Sequence, residues 1–367
     1  MPKKDEKKIN KGASGDSLSL LEQSPTELIQ GHLGQYLSNE DLWNLSQASK
    51  AMFFSCQPLL EKQAAKILLS HVVKGEEAAA LEMIDANPRL LLILSKATDY
   101  SGRSYQGLTP FQAALSSHDV ALWKKIEPYF DKLSDGEAEK VRQFRQLFPE
   151  GLPQQESYDF TELVQVISNS SDADIMAALR KENNDTLICQ ALKGFRTAFT
   201  DLAIKEMFFN PSHLIDALKV YDAQFDPWSW NQRDLFWRQV IGYTQRFLPV
   251  CYAQAFCQGL YYILEEKKPL ARSLKFQYDS GSYFPLLDSS GLGFDFAVVS
   301  APWPDVARIG GPFLLLRACG VGWMTLVDKL CRANTAELLG LEHRMRHDGQ
   351  SITDNDSLTS RSWCTIS

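Results

Sequence analysis

Two helix-start patterns follow each other closely within residues 24–53, and they restrict the local fold more than any other feature of the chain. Ser24 precedes Glu27 by three residues, which is the spacing of a capping box. Ser38 precedes Asp41 by the same distance and forms a second helix cap. The sequence therefore predicts two short helices that meet at a tight corner.

Apolar residues recur at near-helical spacing after both caps. The first helix is predicted to begin at Pro25, where proline costs no hydrogen bond. Its apolar positions are Leu28, Ile29, Leu33, Tyr36 and Leu37. The inner face of the second helix is predicted to hold Leu42, Leu45, Ala48 and Met52, with Trp43 beside it. Gly31 and Gly34 each cost about 1 kcal/mol relative to alanine, so the first helix needs packing to persist.

This stretch resembles an F-box. It contains a Pro-x-Glu-Leu-Ile opening, a Tyr-Leu pair, an Asp-Leu pair and a Leu-Ser-x-x-Ser-Lys run. In the F-box family such a helical hairpin binds the adaptor Skp1. The resemblance implies that the Skp1-binding residues are Pro25, Leu28, Ile29, Leu33, Leu37, Leu42 and Leu45.

Three departures from the F-box pattern lower the expected affinity for Skp1. Ser24 replaces the usual leucine, and His32 stands where an aliphatic residue is normal. One extra residue precedes the pair Tyr36 and Leu37. The alternative interpretation is a plain capped hairpin that belongs to the domain core.

A second resemblance lies at residues 107–115, Gly-Leu-Thr-Pro-Phe-Gln-Ala-Ala-Leu. These residues resemble the Gly-x-Thr-Pro-Leu-His-x-Ala signature of an ankyrin repeat, with Thr109 as N-cap and Pro110 at the first helical position. Residues 99–107 before it are predicted to form a loop. We expect one full repeat here and one degenerate neighbour near Gly75. Ankyrin units bury their cores by stacking, so these must pack on the F-box side or on the C-terminal domain. A generic helical bundle is the alternative.

The character of the sequence changes near residue 150, where two prolines and a polar run predict a linker. Helical patterns follow, with Ser212 predicted as a helix cap and Trp228, Trp230 and Trp237 predicted as core rather than as a binding platform. The predicted fold is mainly α, with a C-terminal helical domain that contains a small β-hairpin or meander. The predicted divisions are a disordered tail 1–18, an F-box-like segment 19–63, an ankyrin-like helical segment 64–150, the C-terminal domain 155–345 and a flexible tail 346–367.

Motifs for catalysis, metals and cofactors are lacking in the sequence. With a net charge of −7, the chain gives no indication of a nucleic-acid partner. The seven cysteines lack metal-ligand spacing, and no glycine-rich loop has the context of a nucleotide site. We therefore predict no catalytic residue, no metal and no cofactor. An enzyme without a recognisable motif in residues 155–345 is the alternative.

The last four residues, Cys364 to Ser367, match the C-a-a-X prenylation pattern, and the terminal serine favours farnesyl. This predicts modification of Cys364 by a host farnesyltransferase. One isoprenoid without a basic second signal anchors weakly, so membrane association should be reversible. A free structural cysteine is the alternative. The run 312–327 is too short to span a bilayer.

Together the three modules resemble Legionella-type secreted effectors that borrow eukaryotic domains. The resemblance implies secretion into a host cell, with a location in host cytosol and, if prenylated, at a membrane. It implies an adaptor that binds host Skp1 and recruits a cullin ubiquitin ligase to an unknown host target. Two other functions stay open: a host-modifying enzyme with an accessory F-box, and a membrane-placed binding module.

Overall fold

Helices dominate the described part of the chain, which confirms the predicted mainly α fold. The computed structural model describes residues 26–34, 36–153, 156–182, 185–206, 208–272, 277–278, 281–282, 290–300, 307–310 and 324–346. Its contacts divide the chain into an N-terminal unit, residues 1–64, and a C-terminal unit, residues 65–367.

The N-terminal unit begins with helix α1 (Thr26–Leu28), a π-helical turn (Ile29–Leu33) and helix α2 (Asn39–Ser46). Helix α3 (Lys50–Val73) follows. The predicted second cap is confirmed, because Ser38 Oγ accepts the Asp41 N–H at 3.1 Å and the Asp41 carboxylate accepts the Ser38 N–H. Ser24 and Pro25 lie outside the described residues.

The prediction that Met52 belongs to the second helix is wrong. Helix α2 ends at Ser46, and Ser49 Oγ then accepts the N–H of Met52 at 3.2 Å. This bond caps a new helix, α3, and Met52 lies in its first turn.

Ile29, Met52 and Cys56 form the buried core of the N-terminal unit, and Leu45 and Leu60 pack against it. Gln30 Nε2 donates to the carbonyl oxygen of Ser55 at 3.2 Å. The chain passes so close to α3 at Gly34 that a Cβ atom there would overlap the side chain of Leu59. A larger residue in place of this glycine would therefore require the Leu59 side chain to move. The short elements before α3 are held by contacts with its first turns.

The C-terminal unit begins with three short elements after α3. Helix α4 (Glu77–Ala86) is followed by a 3₁₀ turn (Pro88–Leu92) and by a hairpin of antiparallel strands β1 (Ser95–Thr98) and β2 (Ser104–Leu108). The prediction of a loop at residues 99–107 is wrong where strand β2 begins at Ser104. Asp99 Oδ1 accepts the N–H groups of Ser101 and Arg103, and this turn brings the two strands together.

The ankyrin-like segment contains the predicted cap. Helix α5 (Pro110–Ser116) begins after Thr109, whose side chain forms a capping box with Gln112. Helix α6 (Val120–Ile126), a 3₁₀ turn (Glu127–Lys132) and helix α7 (Gly136–Leu147) follow. Gln112 stands where the ankyrin signature has histidine, and its Nε2 donates to the Gln143 carbonyl at 2.9 Å. The helices are thus linked by buried side-chain amides.

The remaining elements of the C-terminal unit are again mostly helical. They are α8 (Thr161–Asn169), α9 (Asp172–Leu179), α10 (Leu187–Lys205), α11 (Ser212–Ala223), α12 (Trp230–Phe236) with a π turn (Trp237–Ile241), α13 (Gly242–Gln245), α14 (Val250–Gln258), α15 (Leu260–Leu264) and α16 (324–346). Two small antiparallel hairpins, β3 (Gln277–Tyr278) with β4 (Gly281–Ser282) and β5 (Ala297–Ser300) with β6 (Ala307–Gly310), confirm the predicted strands.

Aromatic side chains fill the core of this region. Trp228 and Trp237 are buried as predicted, whereas Trp230 is 46% exposed. Phe195 and Phe199 pack their rings against Tyr243 at 5.7 and 6.4 Å. The predicted role of Ser212 as cap is corrected, because Ser212 is the first residue of α11 and Asn210 Oδ1 accepts its N–H.

The turn at residues 116–119, between α5 and α6, joins the two parts of the C-terminal unit. Carbonyl oxygens of Ser116, Ser117 and His118 accept hydrogen bonds from residues far along the chain, namely Phe209 N–H, Cys251 Sγ–H and Asn334 Nδ2–H. Asp119 accepts two bonds from Arg272, at 2.7 and 2.9 Å. The ankyrin-like segment therefore packs on the C-terminal region, and the predicted linker near residue 150 lies within one compact unit.

Candidate functional site

Large apolar side chains are exposed at high density in the N-terminal unit. Of the thirteen exposed large hydrophobic residues in the described chain, six lie between residues 28 and 54. We call these six residues the exposed apolar set: Leu28, Leu33, Tyr36, Trp43, Phe53 and Phe54. Their exposed fractions range from 38% for Leu33 to 82% for Tyr36. Exposed aromatic groups at this density are typical of protein interaction sites.

Helix geometry explains why two phenylalanines of α3 point away from the unit's core. Met52 and Cys56 are one turn apart and face inward. Phe54 follows Met52 by two residues, about 200° around the helix, and is 61% exposed. Phe53 lies between these directions and contacts the ring of Phe54 edge to face at 5.7 Å. The two rings therefore form an exposed aromatic pair.

The residues predicted to bind Skp1 fall into different environments. Leu28 and Leu33 are exposed, and Leu37 and Leu45 are half-buried. Ile29 and Leu42 have no exposed surface, so they stabilise the structure from within. Pro25 lies outside the described residues.

Four members of the exposed apolar set were not among the predicted binding residues: Tyr36, Trp43, Phe53 and Phe54. Tyr36 and Trp43 gave a signal in the sequence, since Tyr36 belongs to the periodic apolar residues and Trp43 lies beside the inner stripe. Phe53 and Phe54 gave a signal only as an adjacent aromatic pair. Hydrophobic periodicity alone does not show whether Phe53 and Phe54 face the core or the solvent until the start of α3 is known.

Buried thiols give little support to cysteine catalysis among the described residues. Burial raises the pKa of Cys56 and of Cys251, and it raises the pKa of Cys331 to about 12. The reactive form of cysteine is the thiolate, which these environments disfavour at neutral pH. These three side chains are suited to packing rather than nucleophilic attack.

The buried pair of His213 and Glu206 resembles the base and orienting group of a hydrolase, but both ring nitrogens are occupied. Nδ1 of His213 accepts the backbone N–H of Tyr158 at 2.9 Å. Nε2 lies 2.9 Å from Glu206 Oε1 and donates to it. A general base needs a free nitrogen beside the substrate, so this pair fixes the start of α11 instead.

In the described residues, no group of three or more His, Cys, Asp or Glu side chains is placed to hold a metal ion. None of the helices in that part of the chain is both long and apolar enough to cross a membrane. Cys364, the predicted prenylation site, lies outside the described residues, and its modification stays a prediction.

Comparison with known proteins gives a family match within the C-terminal unit and a relative of low identity. Residues 213–345 match the family model described as the CBUA0006 C-terminal domain. The chain is similar to "Uncharacterized protein CBUA0006" of Coxiella burnetii (strain RSA 493 / Nine Mile phase I), with 23% identity over 301 residues that cover 79% of this chain and 78% of that protein. No solved structure shows a significant match. The family match does not include the exposed apolar set.

Proposed function

We propose that the protein is a secreted effector of the Legionella type that acts as an adaptor: its N-terminal unit binds host Skp1 and its C-terminal unit holds a host target for a cullin ubiquitin ligase. The exposed apolar set is the observation that carries this proposal. A capped structure with its own small core presents six large apolar side chains to solvent, and exposed apolar groups provide most of the energy of an interface. The F-box resemblance supplies the partner.

Within this proposal the contact residues differ in part from those that the F-box pattern implied. Leu28 and Leu33 reach the surface and join Tyr36, Trp43 and the Phe53–Phe54 pair as contact residues. Ile29 and Leu42 act indirectly, because they hold the short elements in place from within. Tryptophan and tyrosine are enriched among the residues that dominate binding energy, so Trp43 is the strongest single candidate.

The test is binding of purified Skp1 to the full-length chain, measured by biolayer interferometry. Changing Leu28 and Trp43 together to alanine should weaken binding at least about tenfold, since interface residues of this kind contribute on the order of 1–2 kcal/mol each. Both side chains are about half exposed, at 45% and 56%, so the thermal midpoint should change little.

Leu339→Ala is the matched control, because this leucine is 51% exposed but lies in the C-terminal unit. It should bind Skp1 like the wild type. The proposal fails if the wild-type chain does not bind Skp1, or if the Leu28/Trp43 double variant binds as tightly as the control.

A further inference from the structure

Helix α3 contains a proline in its interior, next to the exposed apolar set. Pro58 lies well past the first turn of the helix, which is the position where proline is tolerated without loss of a bond. Proline has no N–H group, so the carbonyl oxygen of Phe54, four residues earlier, cannot receive its regular helical hydrogen bond. The proline ring also crowds this carbonyl group. The sequence therefore leaves an interruption in the hydrogen bonding of α3 at Phe54.

The interrupted bond lies on the solvent side of the helix. Phe54 is 61% exposed, and Pro58 is exposed as well. A helical carbonyl group points along the axis toward the residue four positions later, so the Phe54 oxygen lies between these two exposed side chains. The next carbonyl oxygen, that of the buried Ser55, instead accepts from Gln30 Nε2 at 3.2 Å. Helix α3 thus presents a main-chain acceptor to solvent beside the ring of Phe54.

Burial of this oxygen at an interface would impose a requirement on the partner. Water satisfies the oxygen in the free protein, but a partner that covers Phe54 displaces that water. A polar atom that is buried without a hydrogen bond lowers the affinity, because its lost hydration is not replaced. The missing N–H is that of Pro58, so α3 does not supply it. A partner that binds tightly here must therefore bring a donor of its own.

We propose that Skp1 donates a hydrogen bond to the carbonyl oxygen of Phe54, and that Pro58 permits this bond by leaving the oxygen unused within the helix. This inference rests on the proposed binding of Skp1 to the exposed apolar set. The donor is a side-chain amide, hydroxyl or cationic nitrogen, since each of these can reach a main-chain oxygen. Pro58 is then a specificity-determining residue, because a partner with an apolar group at this point leaves the oxygen unpaired.

The test compares Skp1 binding by the full-length wild type, Pro58→Ala and Pro58→Leu, measured by biolayer interferometry. Both replacements supply an N–H that occupies the Phe54 oxygen, and leucine also keeps a large apolar side chain at this position. Both variants should bind roughly fivefold more weakly than the wild type, as expected for one lost hydrogen bond. Their thermal midpoints should not fall, since alanine and leucine favour a helix far more than proline does. Weaker binding in these variants is therefore not caused by unfolding.

Lys62→Ala is the matched control. Lys62 is exposed one turn beyond Pro58 and already has a backbone N–H, so its replacement leaves the Phe54 oxygen unchanged. This variant should bind Skp1 like the wild type.

A measurement on the wild type does not depend on any variant. Phe54–Ser55 is the only Phe-Ser pair in the sequence, so ¹³C-carbonyl phenylalanine combined with ¹⁵N-serine gives a single NMR signal for the Phe54 carbonyl carbon. This signal should shift downfield when Skp1 binds, because a hydrogen bond to the oxygen deshields the carbonyl carbon.

The outcomes separate this inference from the proposed adaptor role. If the wild type binds Skp1 but Pro58→Leu binds as tightly, or if the Phe54 carbonyl signal of the bound wild type does not move downfield, the hydrogen bond is refuted and the adaptor role stands. If the wild type does not bind Skp1, both are refuted. Weaker binding by both Pro58 variants, together with the downfield shift, is the expected result.

Discussion

His118 combines a rare backbone conformation with a neutral ring, and both follow from its place in the 116–119 turn. The turn reverses the chain between α5 and α6, which requires the left-handed φ of 55°. The carbonyl oxygen of His118 is held by Asn334, so the ring stays beside the edge of the Phe209 ring, 5.9 Å away. Burial there disfavours the imidazolium and lowers the pKa to about 4 from an ordinary 6.5.

This lowered pKa predicts acid sensitivity. Between pH 6.5 and 4 the unfolded chain binds a proton at His118 that the folded chain does not, so the free energy of unfolding should fall as the pH drops. The full loss is roughly 3 kcal/mol for a shift of this size. Urea denaturation at several pH values measures it.

The matched variant for this experiment is His118→Asn, which keeps a residue that tolerates the left-handed backbone but does not titrate. Its stability should depend less on pH than that of the wild type over the same interval. Burial raises the pKa of Asp99 in both proteins, and this has the opposite effect on the pH dependence of stability. The effect of Asp99 therefore cancels when the two proteins are compared. Equal slopes for wild type and variant would contradict the role of His118.

Two helices of the chain begin with the same capping pattern but in different surroundings. Ser38, before α2, is exposed, and its side chain bonds with Asp41. Thr109, before α5, is 1% exposed, and its hydroxyl also donates to Gln143 Oε1 at 2.5 Å. A cap of either kind contributes on the order of 1 kcal/mol, but loss of the buried hydroxyl also leaves an amide oxygen without its partner.

Thr109→Ala should therefore lower the free energy of unfolding by about 2–3 kcal/mol, the sum of the lost cap and the unsatisfied Gln143. Thr109→Ser keeps the hydroxyl and should cost less than half as much. Urea denaturation followed by circular dichroism measures both. If the alanine and serine variants are equally stable, the hydroxyl does not have the proposed role and only the methyl group matters.

Local patterns in the sequence predicted where several helices begin, because caps and prolines act within one turn of chain. The starts of α2 and α5 are of this kind. The β1–β2 hairpin was missed, since it depends on a turn made by the Asp99 side chain.

The candidate site was predicted only in part for a similar reason. Leu28 and Ile29 are adjacent apolar residues of similar size, yet one is 45% exposed and the other has no exposed surface. Which of them faces inward is decided by α3, whose Met52 and Cys56 cover Ile29.

In the C-terminal unit, a buried ion network connects residues that are far apart in sequence. Arg272 donates from both terminal nitrogens to Asp119 and from Nε to Glu77 at 3.1 Å. The Asp119 side chain is 5% exposed, and those of Arg272 and Glu77 are 13% exposed. Since Asp119 also accepts the Leu122 N–H at 3.1 Å, the network attaches the start of α6 to the region after α15.

Removal of the Arg272 guanidinium should destabilise α5–α6 and α14 to a similar extent. Arg272→Met leaves the buried Asp119 carboxylate without its cationic partner, which costs roughly 3 kcal/mol in buried ion pairs of this kind, while Glu77 keeps its ion pair with Lys125. Hydrogen exchange with mass spectrometry should show protection of α5–α6 and of α14 falling by a similar factor, on the order of 100-fold. Arg332→Met, which breaks an exposed pair with Asp328, should leave both regions protected.

A second change isolates the charge effect. Asp119→Asn removes one negative charge and keeps an oxygen for the cap at Leu122, so the Arg272→Met/Asp119→Asn double variant should recover part of the loss. If only α14 lost protection in Arg272→Met, the ankyrin-like segment would fold independently of the region after residue 155. We expect α5–α6 and α14 to lose protection equally. The 116–119 turn is hydrogen-bonded to Phe209, Cys251 and Asn334, so the ankyrin-like segment and the region after residue 155 stabilise each other.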